Sequence, residues 1–246
     1  MTRVLSTVAG PAGTALALVA GVLDRARRPA KPLHPHGRVE RAVLRRHGSA
    51  LSSGVPWIDE PGVDEVLVRT SRAVGLPAPL PDVLGIALAV TGPHGAGDVL
   101  LATTGRGRLG RYALTAHRDL PRAGLLTTLL PYRSDAGPVL LAVRPRGSGP
   151  AGRGDGLDLG PGLDLGWARG SGPWQWFGEL QVQPDEGSDT PQDADVSFDP
   201  VRRVLPGLEQ YAWVARLRAP AYARARQGRV DRDASAPGTR RKVSLT

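Results

Sequence analysis

The sequence contains no cysteine, and this absence removes several classes of chemistry at once. Without a thiol, the chain cannot form a disulfide, use a thiolate nucleophile, or bind zinc or an iron–sulfur cluster through sulfur. The lack of cysteine also fits a reducing compartment. We therefore expect a cytoplasmic protein.

Aromatic residues are also scarce. They make up 4% of the 246 residues, against 41% for all hydrophobic residues. A core of this composition must be packed mainly with leucine, valine and alanine. The length suits one β-rich domain.

Lysine is almost absent, because Lys31 and Lys242 are the only lysines among 32 basic residues. The formal net charge is +9, yet the arginines are spread from Arg3 to Arg241. A nucleic-acid interface usually concentrates its charge in a stripe or combines it with stacking aromatics. We therefore predict no nucleic-acid partner.

The N-terminus has no apolar run long enough to cross a bilayer. Residues 8–23 are apolar, but Pro11 and three glycines interrupt them, and a membrane-spanning helix needs about 20 apolar residues. The basic stretch 24–28 that follows opposes export. We predict no transmembrane segment and a helical lead-in over residues 1–30.

Short apolar runs separated by Gly- and Pro-rich turns predict a series of β-strands. The expected strands are residues 38–46, 65–71, 85–90, 98–104, 125–130, 138–144, 163–169 and 176–183. A helix is expected from about Leu208 to Arg226, kinked by Pro220. Many short strands before a terminal helix are typical of an antiparallel sheet or barrel. The polar tail 227–246 is predicted to be disordered.

Five short segments, in the same order along the chain, resemble those of a known family. They are Leu33-His-Pro-His-Gly37, Val68-Arg-Thr-Ser71, Asp82-Val-Leu-Gly-Ile-Ala87, Asp98-Val-Leu-Leu101 and Arg218-Ala-Pro-Ala-Tyr222. The chain thereby resembles the minimal, barrel-only members of the catalase superfamily, which are haem proteins. The resemblance implies an α+β fold in which a catalase-like antiparallel β-barrel, residues 31–226, lies between an N-terminal and a C-terminal helix.

The resemblance also implies roles on the iron-binding side of a haem. Tyr222 matches the tyrosine that ligates the haem iron, and Arg218 lies one helical turn before it. A cation on the same helix face helps a phenol to ionise, because it favours the phenolate. Arg69 matches a residue that can pair with a haem propionate. The plainer alternatives are that Tyr222 packs a terminal helix and that Arg69 is a surface charge.

On the opposite side of the haem, the resemblance assigns the peroxide chemistry. His34 takes the place of the distal acid–base residue, and Ser71 could orient its ring by a hydrogen bond. Thr103 stands where the family has a distal asparagine, and Leu84 replaces an arginine that helps bind a propionate. His34 could also be an ordinary loop histidine.

These departures indicate incomplete equipment for catalase activity. The resemblance then implies a haem-binding protein with weak peroxidase or hydroperoxide-converting activity and reduced or absent catalase activity. Its substrate would be peroxide or an organic hydroperoxide.

Two other functions remain open from the sequence. The first is a haem-free barrel that keeps the fold and binds something else, which the changes at Leu84 and Thr103 favour. The second is a phosphodiester hydrolase in which His34 and His36 share the general acid and base roles.

Overall fold

The computed structural model describes residues 37–146, 156–183 and 196–216. The predicted N-terminal lead-in and the C-terminal tail lie outside these ranges. Within them the chain forms ten strands and three short helices, and residues 212–216 are helical as well. The strands are β1 (Gly37–Arg46), β2 (Gly62–Arg72), β3 (Leu84–Gly92), β4 (Gly95–Thr103), β5 (Leu126–Thr127), β6 (Tyr132–Ser134), β7 (Gly137–Pro145), β8 (Leu163–Arg169), β9 (Gln175–Val182) and β10 (Glu209–Gln210). The helices are α1 (Pro56–Asp59), α2 (Gly107–Gly110) and α3 (Leu120–Ala123).

Eight of the strands close into an antiparallel barrel. Their order around the barrel is β1-β2-β3-β4-β5-β7-β8-β9, and β9 pairs with β1 to complete the ring. Strands β6 and β10 extend the sheet beside β7. The predicted antiparallel β-barrel is confirmed.

Two predicted elements differ from the structure. The strand expected over 125–130 is reduced to two residues, because Leu129 adopts φ +62° and turns the chain out of the sheet. The helix expected from Leu208 does not begin there, since Glu209 and Gln210 pair with β6. Its helical residues begin at Ala212, and the part beyond residue 216 is outside the described ranges.

The barrel interior is filled by alternate residues of each strand. On β3, Leu84, Ile86, Leu88 and Val90 are all at most 1% exposed and belong to the main apolar cluster. Successive side chains of a strand point to opposite faces, so the residues between these four lie on the outer face. The same alternation fixes the inner and outer positions on the other strands.

An ion pair is buried at the end of the barrel where β1 finishes. The Nε of Arg46 lies 2.6 Å from Oδ2 of Asp64, and both side chains are fully buried. Trp57 donates its indole N–H to the same carboxylate at 3.1 Å, and Arg46 also donates to the carbonyl of Trp57 at 2.9 Å. These contacts attach α1 to the barrel end.

The opposite end of the barrel carries a loop held by two buried charged residues. Asp82 accepts the backbone N–H groups of Val74, Gly75 and Leu76 at 3.1, 2.9 and 3.0 Å. Arg72 donates to the carbonyl oxygens of Leu76, at 2.9 Å, and of Leu80. The side chains of Asp82 and Arg72 therefore hold the loop between β2 and β3 by its backbone N–H and carbonyl groups.

The segment 196–208 lies along the edge of β4. The backbone N–H of Asp98 donates to the carbonyl of Arg203 at 2.7 Å, and that of Asp199 donates to the Asp98 carboxylate at 2.6 Å. Burial raises the pKa of Asp98, although this N–H contact and the charge of Arg203 oppose the shift. Asp199 adds to the rise through its own negative charge.

Candidate functional site

A row of small residues crosses four neighbouring strands at the end of the barrel where β2 finishes. Gly37 of β1 pairs with Ser71 of β2, Ser71 with Gly85 of β3, and Gly85 with Ala102 of β4. All four occupy outer-face positions, because their neighbours along each strand point into the barrel. We call this set the small-residue row.

Arg69 borders the small-residue row on the same outer face. It lies two residues before Ser71 on β2, and a Cβ added at Gly37 would be 2.5 Å from its guanidinium Cζ. The guanidinium therefore lies directly against the Gly37 backbone, in space that any larger residue would occupy. A planar cation here can bind a carboxylate through two parallel hydrogen bonds.

Ser71 and Thr103, which the sequence assigned to one site, lie on opposite faces of the sheet. Ser71 faces outwards, whereas Thr103 has the inward parity of Leu101. The Thr103 hydroxyl accepts the N–H of Leu84 at 3.1 Å and donates to the carbonyl of Thr115 at 2.6 Å. Its hydrogen bonds thus join β4 to β3 and to the 104–125 segment.

The residue of β4 that shares the face of Ser71 is Ala102. It packs against a small apolar cluster formed by Ala73, Val83 and Leu114. A methyl group offers no hydrogen bond, so Ala102 adds no polar side chain to the row. The signal that could have identified Ala102 is the strand register, which the sequence does not give.

Leu84 is also a core residue. It is fully buried inside the barrel among the apolar residues of the main cluster. A leucine at this position therefore contributes packing and no charge.

A histidine lies near the loop that follows Thr103. The Nε2 of His117 is 3.0 Å from Oγ1 of Thr115, and its backbone pairs with Asp82. Burial lowers the pKa of His117; Asp119 opposes this shift and Arg106 adds to it. Through Thr115, this imidazole is connected to Thr103.

Four residues singled out by the sequence lie outside the described ranges: His34, His36, Arg218 and Tyr222. Their roles stay predictions. Within residues 37–146, 156–183 and 196–216, no three His, Asp or Glu side chains come together in a way that could hold a metal ion. In the same part of the chain, no helix is long and apolar enough to span a membrane.

Comparison by sequence gives no match. No family model fits the chain, and no curated protein matches its sequence.

Comparison by structure gives clear matches to catalases. A bacterial catalase matches with a TM-score of 0.52 and 14% identity over 93% of this chain and 63% of its own. A fungal catalase matches with a TM-score of 0.53 and 12% identity over 93% and 65%. Catalase A from Saccharomyces cerevisiae matches with a TM-score of 0.51 and 13% identity over 93% and 67%.

The chain spans just under two thirds of the length of the first two of these catalases. At such low identity the likeness concerns the fold and does not extend to the chemistry. The closed eight-stranded barrel agrees with these matches. The chain has a catalase-like fold.

Proposed function

We propose that this chain is a haem-binding barrel that converts organic hydroperoxides and has little or no catalase activity. The observation that carries the proposal is the small-residue row with Arg69 beside it. A row of small side chains can accept a planar ring, and the neighbouring guanidinium suits a carboxylate at the ring's edge. The catalase-like fold supports the same proposal.

Each residue of the proposed site has a defined task. Tyr222 would hold the iron as phenolate, and Arg218 would favour that ionised form. Arg69 would bind a propionate. Ser71 would orient His34, which would move a proton between the two peroxide oxygens. The haem, when bound, supplies a redox-active iron.

The contacts of β4 support the lower catalase activity. Ala102 has no polar group on the face of Ser71, and the Thr103 hydroxyl is used inside the barrel. Only His34 and Ser71 would then hold a small polar peroxide. An organic hydroperoxide gains additional apolar contacts and depends less on such hydrogen bonds.

The first test is haem binding by the full chain, followed by the Soret band. We expect Tyr222→Phe to abolish or shift this band. Arg69→Met should weaken haem binding about tenfold, because a hydrogen bond to a charged group is lost. Arg45→Met, on the exposed outer side of the same barrel wall, is the matched control and should leave binding unchanged. A native chain with no Soret band would refute the proposal.

The second test separates binding from turnover. Consumption of hydrogen peroxide and of an organic hydroperoxide is measured for the haem-loaded chain and for His34→Ala. We expect the organic substrate to be preferred and its conversion to be lost in the variant. Equal rates for both proteins would exclude His34 as the acid–base residue.

A haem-free barrel is the second candidate. It is favoured by the structural use of Thr103 and by the burial of Leu84 in the core. The absence of haem binding in the first test, with an intact fold, is its expected result. The described residues offer no support for a phosphodiester hydrolase, whose His34 and His36 lie outside them; loss of phosphodiester cleavage in His36→Ala would be its signature. A cytoplasmic location stays a prediction.

A further inference from the structure

The loop between β2 and β3 is exposed and carries no polar side chain. Residues 74–81 read Val-Gly-Leu-Pro-Ala-Pro-Leu-Pro, and all eight are exposed. Leu80 is 50% exposed, Leu76 38% and Val74 37%. We call this segment the apolar loop. Its large side chains face water although the barrel has a well-filled core elsewhere.

The apolar loop is held in one conformation. Asp82 binds three of its N–H groups, and Arg72 binds two of its carbonyl oxygens. Its three prolines restrict the backbone further. The loop therefore loses little conformational entropy when its side chains are buried against a partner, and such pre-organisation favours binding.

Basic side chains flank the apolar loop. Arg72 reaches the carbonyl of Arg118 at 3.2 Å as well as that of Leu80, so the backbones of Arg118 and Leu80 lie on either side of one guanidinium. The Arg118 side chain is exposed, as is Arg106, whose charge acts on nearby His117.

The acidic groups at this end are neutralised or buried. Asp82 is 2% exposed, and Asp119 pairs with Arg122 at 2.6 Å. The local surface is thus an apolar projection beside two exposed arginines, Arg106 and Arg118, that have no carboxylate partner among the described residues, on a chain with a net charge of +9.

We propose that the apolar loop docks on an anionic lipid surface. The leucines and prolines would enter the boundary between headgroups and acyl chains, while Arg118 and Arg106 meet the anionic headgroups. A second copy of the chain would bring like charges together, which disfavours self-association through this face. The proposal is independent of haem binding.

The test is sedimentation of the full chain with lipid vesicles. Vesicles of phosphatidylcholine alone are compared with vesicles that also contain the anionic lipid phosphatidylglycerol, because an anionic surface attracts basic side chains. We expect binding to the anionic vesicles only, weakened by added salt because the charges are exposed.

Variants then assign the contact. The double change Leu76→Ser with Leu80→Ser should lower vesicle binding at least about tenfold. Arg118→Gln should lower it about fivefold. The matched control is Leu51→Ser, because Leu51 is 55% exposed and follows β1 at the opposite end of the barrel. It should bind as the native chain does.

A fluorescent label gives a second measurement, which distinguishes a loss of vesicle binding from unfolding of the chain. Because the chain has no cysteine, Leu80→Cys and Leu51→Cys each offer a single site for an environment-sensitive fluorophore. We expect a blue shift on anionic vesicles at position 80 and none at position 51. Equal shifts at both positions, or no vesicle binding, would overturn the proposal. The proposal would also be overturned if the native chain dimerised in the absence of vesicles and the double change Leu76→Ser with Leu80→Ser abolished that dimer.

Discussion

Three buried aspartates of this barrel are stabilised in three different ways. Asp64 has a direct cationic partner, since Arg46 lies 2.6 Å from it in the interior. Asp82 has three backbone N–H groups. Asp98 has one backbone N–H at 2.6 Å and an arginine at 3.5 Å, and its other oxygen has no hydrogen-bond partner among the described residues. The same residue type therefore has different consequences at each position.

Removing Asp64 should be strongly destabilising. Asp64→Ala leaves the Arg46 guanidinium buried without a counter-charge, and such losses cost about 3 to 5 kcal/mol. The measurement is the free energy of unfolding in urea. Arg122→Ala is the control, because this side chain is 82% exposed and its pair with Asp119 is at the surface; its effect should stay below about 1 kcal/mol. Similar losses in both variants would contradict the prediction.

The raised pKa of Asp98 predicts a specific pH dependence. Burial raises the folded-state pKa above the ordinary value of 3.8. Protonation therefore favours the folded chain, and this stabilising contribution, complete below pH 3.8, is lost as the pH rises through the folded-state pKa. Relative to Asp98→Asn, which does not titrate, the native chain should lose stability as the pH rises from 3.8 through the folded-state pKa of Asp98.

Urea unfolding at several pH values measures this difference. The asparagine keeps an oxygen that can accept the N–H of Asp199, so the variant is expected to fold. Asp135→Asn, at an exposed position in the turn between β6 and β7, is the matched control for loss of a carboxylate at the surface. A constant difference between the native chain and Asp98→Asn would refute the prediction.

At the scale of elements, the loop between β2 and β3 depends on its carboxylate. Asp82→Ala would leave the N–H groups of residues 74–76 without their acceptor, so this loop should exchange its amide hydrogens faster. Hydrogen-exchange mass spectrometry of peptides covering residues 72–81 measures the change. Peptides from β8 serve as the internal reference and should keep their protection. Unchanged exchange in the loop would show that Arg72 alone holds it.

Elements with clear alternation were predicted well. Strand β8 has the predicted bounds, and β1, β3 and β7 differ from prediction by one or two residues. Strand β5 was predicted too long because the apolar run 125–130 gives no sign that Leu129 would take a positive φ. Strands β6 and β10 were missed, since segments of three and two residues are too short to show a period.

The candidate site was less predictable than the strands. The sequence assigned Ser71 and Thr103 to one site, yet a shift of one residue on a strand moves a side chain to the other face. Which residue of β4 faces Ser71 depends on the register with β3, and that register is set by tertiary packing. Ala102 carries no chemical signal by which the sequence alone would have selected it.

At the scale of the molecule, the closed barrel predicts cooperative unfolding. Its eight strands share one apolar cluster, and Trp57 and Trp167 are buried within it. Tryptophan fluorescence, to which these two buried indoles contribute, and far-ultraviolet circular dichroism, which reports the strands, should therefore give coincident urea midpoints. Two separated midpoints would indicate that part of the barrel opens independently.

The segment 196–208 also protects the molecule from other copies of itself. Strand β4 pairs with β5 only at Ala102 and Thr103. Nearer the start of β4, Arg203 and Leu205 lie against Asp98 and Gly97. The adjoining sequence Val99-Leu-Leu-Ala-Thr-Thr104 has high β-propensity and no charge. A chain cut before residue 196 would expose this strand edge, and such an edge is a template for amyloid-like fibrils.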